Sequence, residues 1–227
     1  MLMNLPNWQE VLTMAEQYEI IPIPTRILTV HDNIVDAIRE FGGSQIGPRD
    51  VVCVAESVVA ITQNRVIRPE TLKISFVAKV LSQMFPGVGS IGNWSAMQCL
   101  LNESGTLKVL IAFLCGGVCK LFGKAGVFYR MGGEQAKLID DITGTMPPND
   151  KSIVLGPKNP SRVSEAIKAG TGCFGACVAD VNDLKRSAVL GWTKGVDPRL
   201  VEKILIDNPF GNDSQKTPIC VIKDYIK

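Results

Sequence analysis

Gly172-Cys-Phe-Gly-Ala-Cys-Val-Ala-Asp180-Val-Asn182-Asp183-Leu-Lys185-Arg186 is an apolar run that stops at three oxygen-bearing side chains followed by two cations. Ala176 to Ala179 is too short and too apolar for a surface strand, so it reads as a central, buried one. Open α/β sheets place ligands at the carboxyl ends of such strands, and Asp180 sits at that exit. Asp180, Asn182 and Asp183 lie within reach of one another, and hard oxygen donors of this kind hold a divalent cation that bridges substrate phosphates. The same residue types also form turns and cap helices, satisfying backbone N–H groups with no ligand present. Both readings are open at this level.

Working outward, Ile20-Ile-Pro-Ile-Pro24-Thr25-Arg26 reads as a first strand that its prolines confine to an edge. His31-Asp32-Asn33 looks like a helix start, with helical spacing from Ile34 to Phe41. Val51 to Ala55 is a second buried strand running into Glu56-Ser57-Val-Val-Ala-Ile, and Gln63-Asn64-Arg65 is a turn. Glu56 in so apolar a region is either a paired structural charge or a site residue. Thr71 to Phe85 and Trp94 to Asn102 have helical periodicity. Between them, the glycines from Pro86 to Gly92 lack the Lys-Ser/Thr ending of a P-loop.

Leu107 to Leu121 reads as a long buried helix, with Gly116-Gly117 marking close packing or a kink. Gly126 to Arg130 reads as a strand ending on a cation, followed by Gly132 and Gly133, which would let backbone approach a ligand closely. Arg130 either clamps a phosphate or carboxylate, or stacks on Tyr129 or pairs with Glu134. Lys137 to Asp141 and Ser152 to Leu155 read as further strands. Asn159-Pro160 opens a helix that Gly170 stops. A strand at Ala188 to Trp192, a helix from Asp197-Pro198 to Leu205 and a last strand at Pro218 to Ile222 complete the chain. The alternation predicts an α/β or α+β fold with a mixed sheet, because several connections are too short for helical crossovers. The expected organisation is an amino-terminal helical extension over residues 1–19 and one domain over residues 20–227.

Composition narrows the function. The chain has 227 residues, 24 Lys and Arg against 22 Asp and Glu, and a net charge of +2, which is no footprint of a nucleic-acid binder. Hydrophobic residues at 46% against 20% charged argue for a folded protein. The segment Val109 to Cys119 falls short of the roughly 20 residues that span a bilayer. With no signal peptide in Met1 to Trp8, the expected location is the cytoplasm, without membrane or nucleic-acid partners. The seven cysteines form an odd set suited to reduced thiols. Cys115/Cys119 and Cys173/Cys177, each four apart, would pair on a helix face as metal ligands or pack as small hydrophobes. His31 is the single histidine and lies far from any nucleophile motif, so a Ser-His-Asp hydrolase is disfavoured. No dinucleotide fingerprint follows a strand. What remains is chemistry run by carboxylates, Arg or Lys and a metal, which fits phosphate activation.

The order Pro24-Thr25-Arg26, Glu56-Ser-Val-Val-Ala-Ile…Arg65, Gly126-Val-Phe-Tyr-Arg130-Met-Gly132-Gly133, Val154-Leu-Gly-Pro157-Lys158-Asn-Pro160 and Ala179-Asp180…Asn182-Asp183 resembles the coenzyme F420-0:L-glutamate (gamma-glutamyl) ligases. The resemblance runs from Ile20 to Ile222, and Asp207-Asn-Pro-Phe-Gly211…Thr217-Pro218 is similar to the tail of the bacterial branch. It implies a mixed α/β fold of two intertwined lobes and a homodimer. It also implies GTP- or ATP-dependent activation of a carboxylate, with Mg2+ or Mn2+, for attack by an amine such as L-glutamate.

On that resemblance Asp180, Asp183 and Glu56 are the expected catalytic set, with Asp180, Asn182 and Asp183 on the metal. Arg65, Arg130, Gly132, Gly133 and Lys158 are expected to bind nucleotide or substrate anions. The chain also departs from the family pattern. Ala55-Glu56-Ser57 stands where the ligases carry Ser-Ser-Lys, and Gln63-Asn64-Arg65 where they carry Glu-Gly-Arg. Gln135 stands for a metal-binding Asp, and Ala179-Asp180-Val181 for Ser-Asp-Thr. Glu56, Glu134, Asp140, Asn182 and Asp183 would then supply a different ligand set for a different substrate. The alternative is a non-catalytic small-molecule-binding or dimeric regulatory protein on the same fold.

Overall fold

The computed structural model describes residues 17–85, 90–133, 135–139, 148–211 and 215–226. The chain forms two compact units, one built from residues up to Asn64 together with those from Pro157 onward, the other from Arg65–Gly156. The architecture is mixed α/β. Of the expected extension over residues 1–19, only Gln17 to Glu19 fall among the described residues.

The first unit carries a five-stranded sheet of β1 (Ile20–Ile23), β2 (Val51–Ala55), β5 (Gly175–Asn182), β6 (Arg186–Trp192) and β7 (Ile219–Ile222), in the order β1-β7-β2-β5-β6. β2 and β5 run parallel, with Val51 opposite Gly175 and Ala55 opposite Ala179; the other pairings are antiparallel. Pro22 lies in β1 at the sheet edge, where a missing N–H is tolerated. Ile23, Val52, Val54, Ala176, Val178 and Val221 face a core shared with α1 (Ile34–Gly42) and α8 (Pro160–Thr171). Cys53, Cys177, Ala179, Cys220 and Ile222 alternate to the other face, under α9 (Pro198–Ile204).

Local chemistry starts and stops these helices. Asn33 caps α1 by accepting from Val35 N at 2.9 Å and Asp36 N at 3.3 Å. Asp197 caps α9 through Arg199 N at 2.9 Å. α8 runs past Gly170, the expected stop, and ends at Gly172, whose φ of 72° supplies the left-handed cap. Gly170 serves packing instead: a Cβ there would lie 2.3 Å from Val35 Cγ1. Cys173 and Cys177 do not share a helix face, because Cys173 precedes β5 and Cys177 lies in it. Cys177 stands beside Cys53, and Cys53 beside Cys220, in a row across three buried strands. All seven cysteines are free thiols. Burial pushes the Cys53 thiol well up, and the hydrogen bond with Cys53, together with burial, does the same to Cys177.

The second unit is mostly helical, with a two-stranded pairing of β3 (Val66–Ile67) and β4 (Ile153–Val154). Its core gathers residues of α3 (Phe76–Gln83), α4 (Trp94–Ser104), α5 (Thr106–Leu121) and α6 (Val127–Met131) with Ile153 and Leu155. α3 begins only at Phe76, because the Ser75 hydroxyl accepts from Ala78 N and caps it there. Three expectations fail in this unit. The strand read over Gly126 to Arg130 is the helix α6, where Arg130 N donates to Gly126 O at 3.3 Å and Gly132 N to Phe128 O at 2.7 Å. Its aromatic and β-branched content suits a strand, but the Phe128 ring packs tilted against Phe85 at 4.6 Å between centroids, and tertiary packing decides. The strand read from Lys137 is the short helix α7 (Gln135–Leu138), with Asp140 and Asp141 outside the described residues. Finally, α5 is not buried all round: Val109 and Ala112 are, whereas Leu107, Leu114 and Leu121 are largely exposed. Among the described residues no single helix is long and apolar enough to cross a membrane.

Candidate functional site

In the first unit, the parallel pair β2/β5 brings two carboxylates to corresponding places. Ala55 and Ala179 are the last paired residues, and the next residues are Glu56 and Asp180. β2 passes directly into α2 (Glu56–Thr62), so Glu56 occupies the first turn of a helix, where a negative charge meets the positive end of the dipole. It is buried, at 8% exposure. α2 packs against β5. By alternation Asp180 shares the face of Ala176 and Val178, which packs on α8.

β5 does not end at Asp180 as the sequence suggests; it continues to Asn182 and returns through β6, with Asp180 opposite Ala188 and Asn182 opposite Arg186. The extra residue of the bulge lies in β6, between Val189 and Gly191, so the facing of β5 is undisturbed. Asp180 is half-buried, and its carboxylate makes no hydrogen bond or ion pair with a described residue. Burial pushes its carboxyl above the usual carboxylate range. A desolvated acid that no described side chain engages, at the carboxyl end of parallel strands, has the character of a site residue.

Its two expected companions are engaged in the hairpin. Asn182 Oδ1 accepts from Leu184 N at 3.0 Å and shapes the turn, which Lys185 closes in the left-handed region at φ 57°. Asp183 Oδ1 accepts from Asn208 Nδ2 at 2.7 Å. Among the described residues, no group of three or more His, Cys, Asp or Glu side chains is gathered to hold a metal. Lys158 is exposed, and its backbone is clamped at both ends by Gln63: Lys158 N donates to Oε1 at 2.7 Å, and Nε2 donates to the Lys158 carbonyl at 2.9 Å. That clamp fixes the loop entering α8, and the ammonium pairs with no described residue.

In the second unit Arg65 is buried at 5% exposure and committed to the framework. Its Nε donates to the Gly156 carbonyl at 2.6 Å and Nη2 to Glu103 Oε2 at 2.7 Å. Gln135, the residue in place of a metal-binding Asp, closes on Gly156 from both sides: its Oε1 accepts from Gly156 N at 2.9 Å, and its Nε2 donates to Gly156 O at 3.2 Å. Gly132 is buried behind Phe128, whose carbonyl oxygen would lie 3.0 Å from a Cβ. Gly133, at φ 102°, abuts Ser104 and Lys108, two residues lining an open depression of about 680 Å3. Arg130 is exposed, and its guanidinium makes no hydrogen bond or ion pair with a described residue.

Sequence reading names Gln63, Asn208 and Gln135 only as parts of motifs and does not foresee the bonds they make. Gln63 and Lys158 are 95 positions apart, and an amide side chain bonding to distant backbone carries no local signal.

The comparisons bear on these residues unevenly. The family model for F420-0:gamma-glutamyl ligase matches residues 22–173, a span that includes Glu56, Arg65, Arg130, Gly132, Gly133 and Lys158 and stops short of Asp180, Asn182 and Asp183. No curated protein matches the chain. With more than half of its length matched, the chain belongs to the F420-0:gamma-glutamyl ligase family.

Proposed function

We propose that the protein is a carboxylate–amine ligase in which Asp180 is the principal metal-facing residue and the nucleotide is GTP or ATP. The observation that carries this is the half-buried Asp180, whose carboxylate bonds to no described residue, one position past the last β2/β5 pair on β5 as Glu56 is on β2. Mg2+ or Mn2+ suits a donor set of this size, because such cations commonly take one or two carboxylates and complete their shell with phosphate oxygens and water. When bound, the cation would neutralise phosphate charge. Lys158 attracts the same anion from the loop before α8. Glu56 orients the attacking amine, with Asp183 kept in place by Asn208. The substrate carboxylate takes the terminal phosphoryl group of the nucleotide to give an acyl phosphate, and the amine then displaces phosphate to leave the amide. An amine such as L-glutamate fits this reading, with the carboxylate substrate open to being other than the deazaflavin.

Isothermal titration with GTP, ATP and GDP, each with and without Mg2+ or Mn2+, tests the reading. Binding that requires the cation and weakens at least tenfold in Asp180→Ala is expected. Metal-independent binding that Asp180→Ala leaves intact would reject it. A second reading, a small-molecule-binding or regulatory protein that has lost the chemistry, is favoured by one observation: Gln135 is consumed in holding Gly156. Absence of any nucleotide binding would favour that reading.

A further inference from the structure

The α3 helix buries one stripe and leaves the opposite one bare. Ala78 and Leu81 lie in the core of the second unit, whereas Phe76, Val80 and Met84, at intervals of four along the other side, are 80%, 43% and 61% exposed. Trp94, the first residue of α4, extends the stripe: it is 49% exposed, and Lys79 Nζ of α3 stands 5.4 Å from the centre of its ring. Surface helices normally turn polar residues outward. With about 150–250 Å2 for a whole side chain of this size, the four exposures amount to roughly 450 Å2. That is a patch of the size that signals use, and about half of the ~800 Å2 that each partner gives a standard protein interface.

Charge supplies a second, independent observation. From Thr71 to Gly133 the only acidic residue is Glu103, and its carboxylate is paired with Arg65 at 2.7 Å. The same span carries Lys73, Lys79, Lys108, Lys120, Lys124 and Arg130. Lys79 lies in α3 beside the apolar stripe and Lys73 just ahead of the helix, both exposed. Shape points the same way. The stripe is a ridge on a helix, and the open depression of this unit is lined by other residues, from Ser104 to Met131. A protein partner would need a groove to match a ridge, whereas a fluid bilayer yields around it.

We propose that the α3 stripe is a docking face for an anionic bilayer. Phe76, Val80 and Met84 enter the boundary between headgroups and acyl chains, Trp94 sits at headgroup level, and Lys73 and Lys79 lie against the lipid phosphates and carboxylates. The apolar side chains hold on any bilayer, and the lysines select an anionic one, an attraction that fades as salt screens it. The expectation of no membrane partner rests on the lack of a spanning segment and of a signal peptide, and docking of this kind requires neither.

Flotation of the full chain with vesicles of phosphatidylcholine alone, or of phosphatidylcholine and phosphatidylserine in equal parts, at 50 and 500 mM NaCl, tests this. The expected result is binding to the phosphatidylserine vesicles that falls at least fivefold at the higher salt, in Phe76→Ser combined with Met84→Ser, and in Lys79→Glu. Tryptophan emission reads the same contact without disturbing α3: it should shift to shorter wavelength on adding the anionic vesicles, and the shift should be lost in Trp94→Phe. No vesicle binding, equal binding to both compositions, or binding that the α3 variants leave unchanged overturns the proposal. Retention of the chain on immobilised polyglutamate with none on vesicles would give the face to an acidic protein, and overturns it as well.

Discussion

Replacing Arg65 by Ala separates framework from ligand binding at a residue whose type suits either. The guanidinium is 5% exposed and Glu103 27%. Removing one partner of a buried ion pair costs about 3–5 kcal/mol, because the other charge is stranded. Glu103 retains some water, which brings that figure down to about 2–3 kcal/mol. The Gly156 carbonyl also loses its donor at 2.6 Å, adding about 1 kcal/mol. For a chain of this length about 3–4 kcal/mol lowers the melting temperature by roughly 10 °C. Thermal unfolding followed by circular dichroism, with urea titration alongside, reads the loss. Arg65→Met combined with Glu103→Leu should recover much of it, since apolar replacement of both partners removes the stranded charge. A melting temperature within 1 °C of the parent, together with a tenfold loss of nucleotide affinity, would refute the framework role and return Arg65 to the phosphate.

Two carboxylates should respond to pH with opposite sign. At Asp50, burial works to raise the pKa, but the Lys223 ammonium and the N–H groups of Asp224 and Gly47 outweigh it and hold the carboxyl below the usual range. Its contribution is therefore complete above the ordinary aspartate pKa and fades as the pH falls through the depressed folded value, so Asp50→Asn destabilises at pH 7 and loses that effect in acid. Asp180 is raised by burial, so its folded carboxylate costs stability at pH 7, and Asp180→Asn should raise the melting temperature there and cease to do so below the ordinary aspartate range. Melting curves from pH 2.5 to 8 check both signs. Gly191→Ala should lose stability at the upper end of roughly 1–3 kcal/mol, because its Cβ would lie 2.2 Å from Ser161 N and 2.3 Å from Pro160 C, and backbone cannot move aside cheaply. Urea denaturation would show it, and an unchanged midpoint would contradict the packing of α8 on β6.

β1, β2 and β7 of the first unit are legible in the chain because each is a short apolar run rich in Ile or Val, and Asn33 and Asp197 announce their helices by capping. The second unit misleads where aromatic and β-branched residues lie in helices. Val127-Phe-Tyr129 reads as a strand by composition, and only the packing of Phe128 against Phe85 shows why a helix wins. α5 reads as buried because composition counts apolar residues without knowing how many faces a core will cover. At the candidate site, the placement of Asp180 was visible as the point where an apolar run meets a carboxylate. That Asn182 would be spent on its own turn was implicit in its type, whereas the bond from Asn208 to Asp183 depends on a contact 25 positions away.

Framework and ligand compete for the same polar side chains, and the competition resolves differently at Arg65 and Asp180. Arg65 has two donors satisfied by Gly156 and Glu103 and almost no exposure, so its removal is felt by the fold first. Asp180 is the reverse: burial makes its charge unfavourable, and no described residue bonds to its carboxylate. A group held at a cost to stability is intelligible when a bound cation offsets that cost, since an opposite charge nearby favours the ionised form. Divalent cation should then lower the Asp180 pKa and raise the melting temperature of the parent chain, by mass action on the native state. Asp180→Asn should be more stable than the parent without cation and gain nothing when cation is added. Arg65→Ala, once corrected for its folded fraction, should still gain from the cation, because the Asp180 carboxylate in β5 is intact.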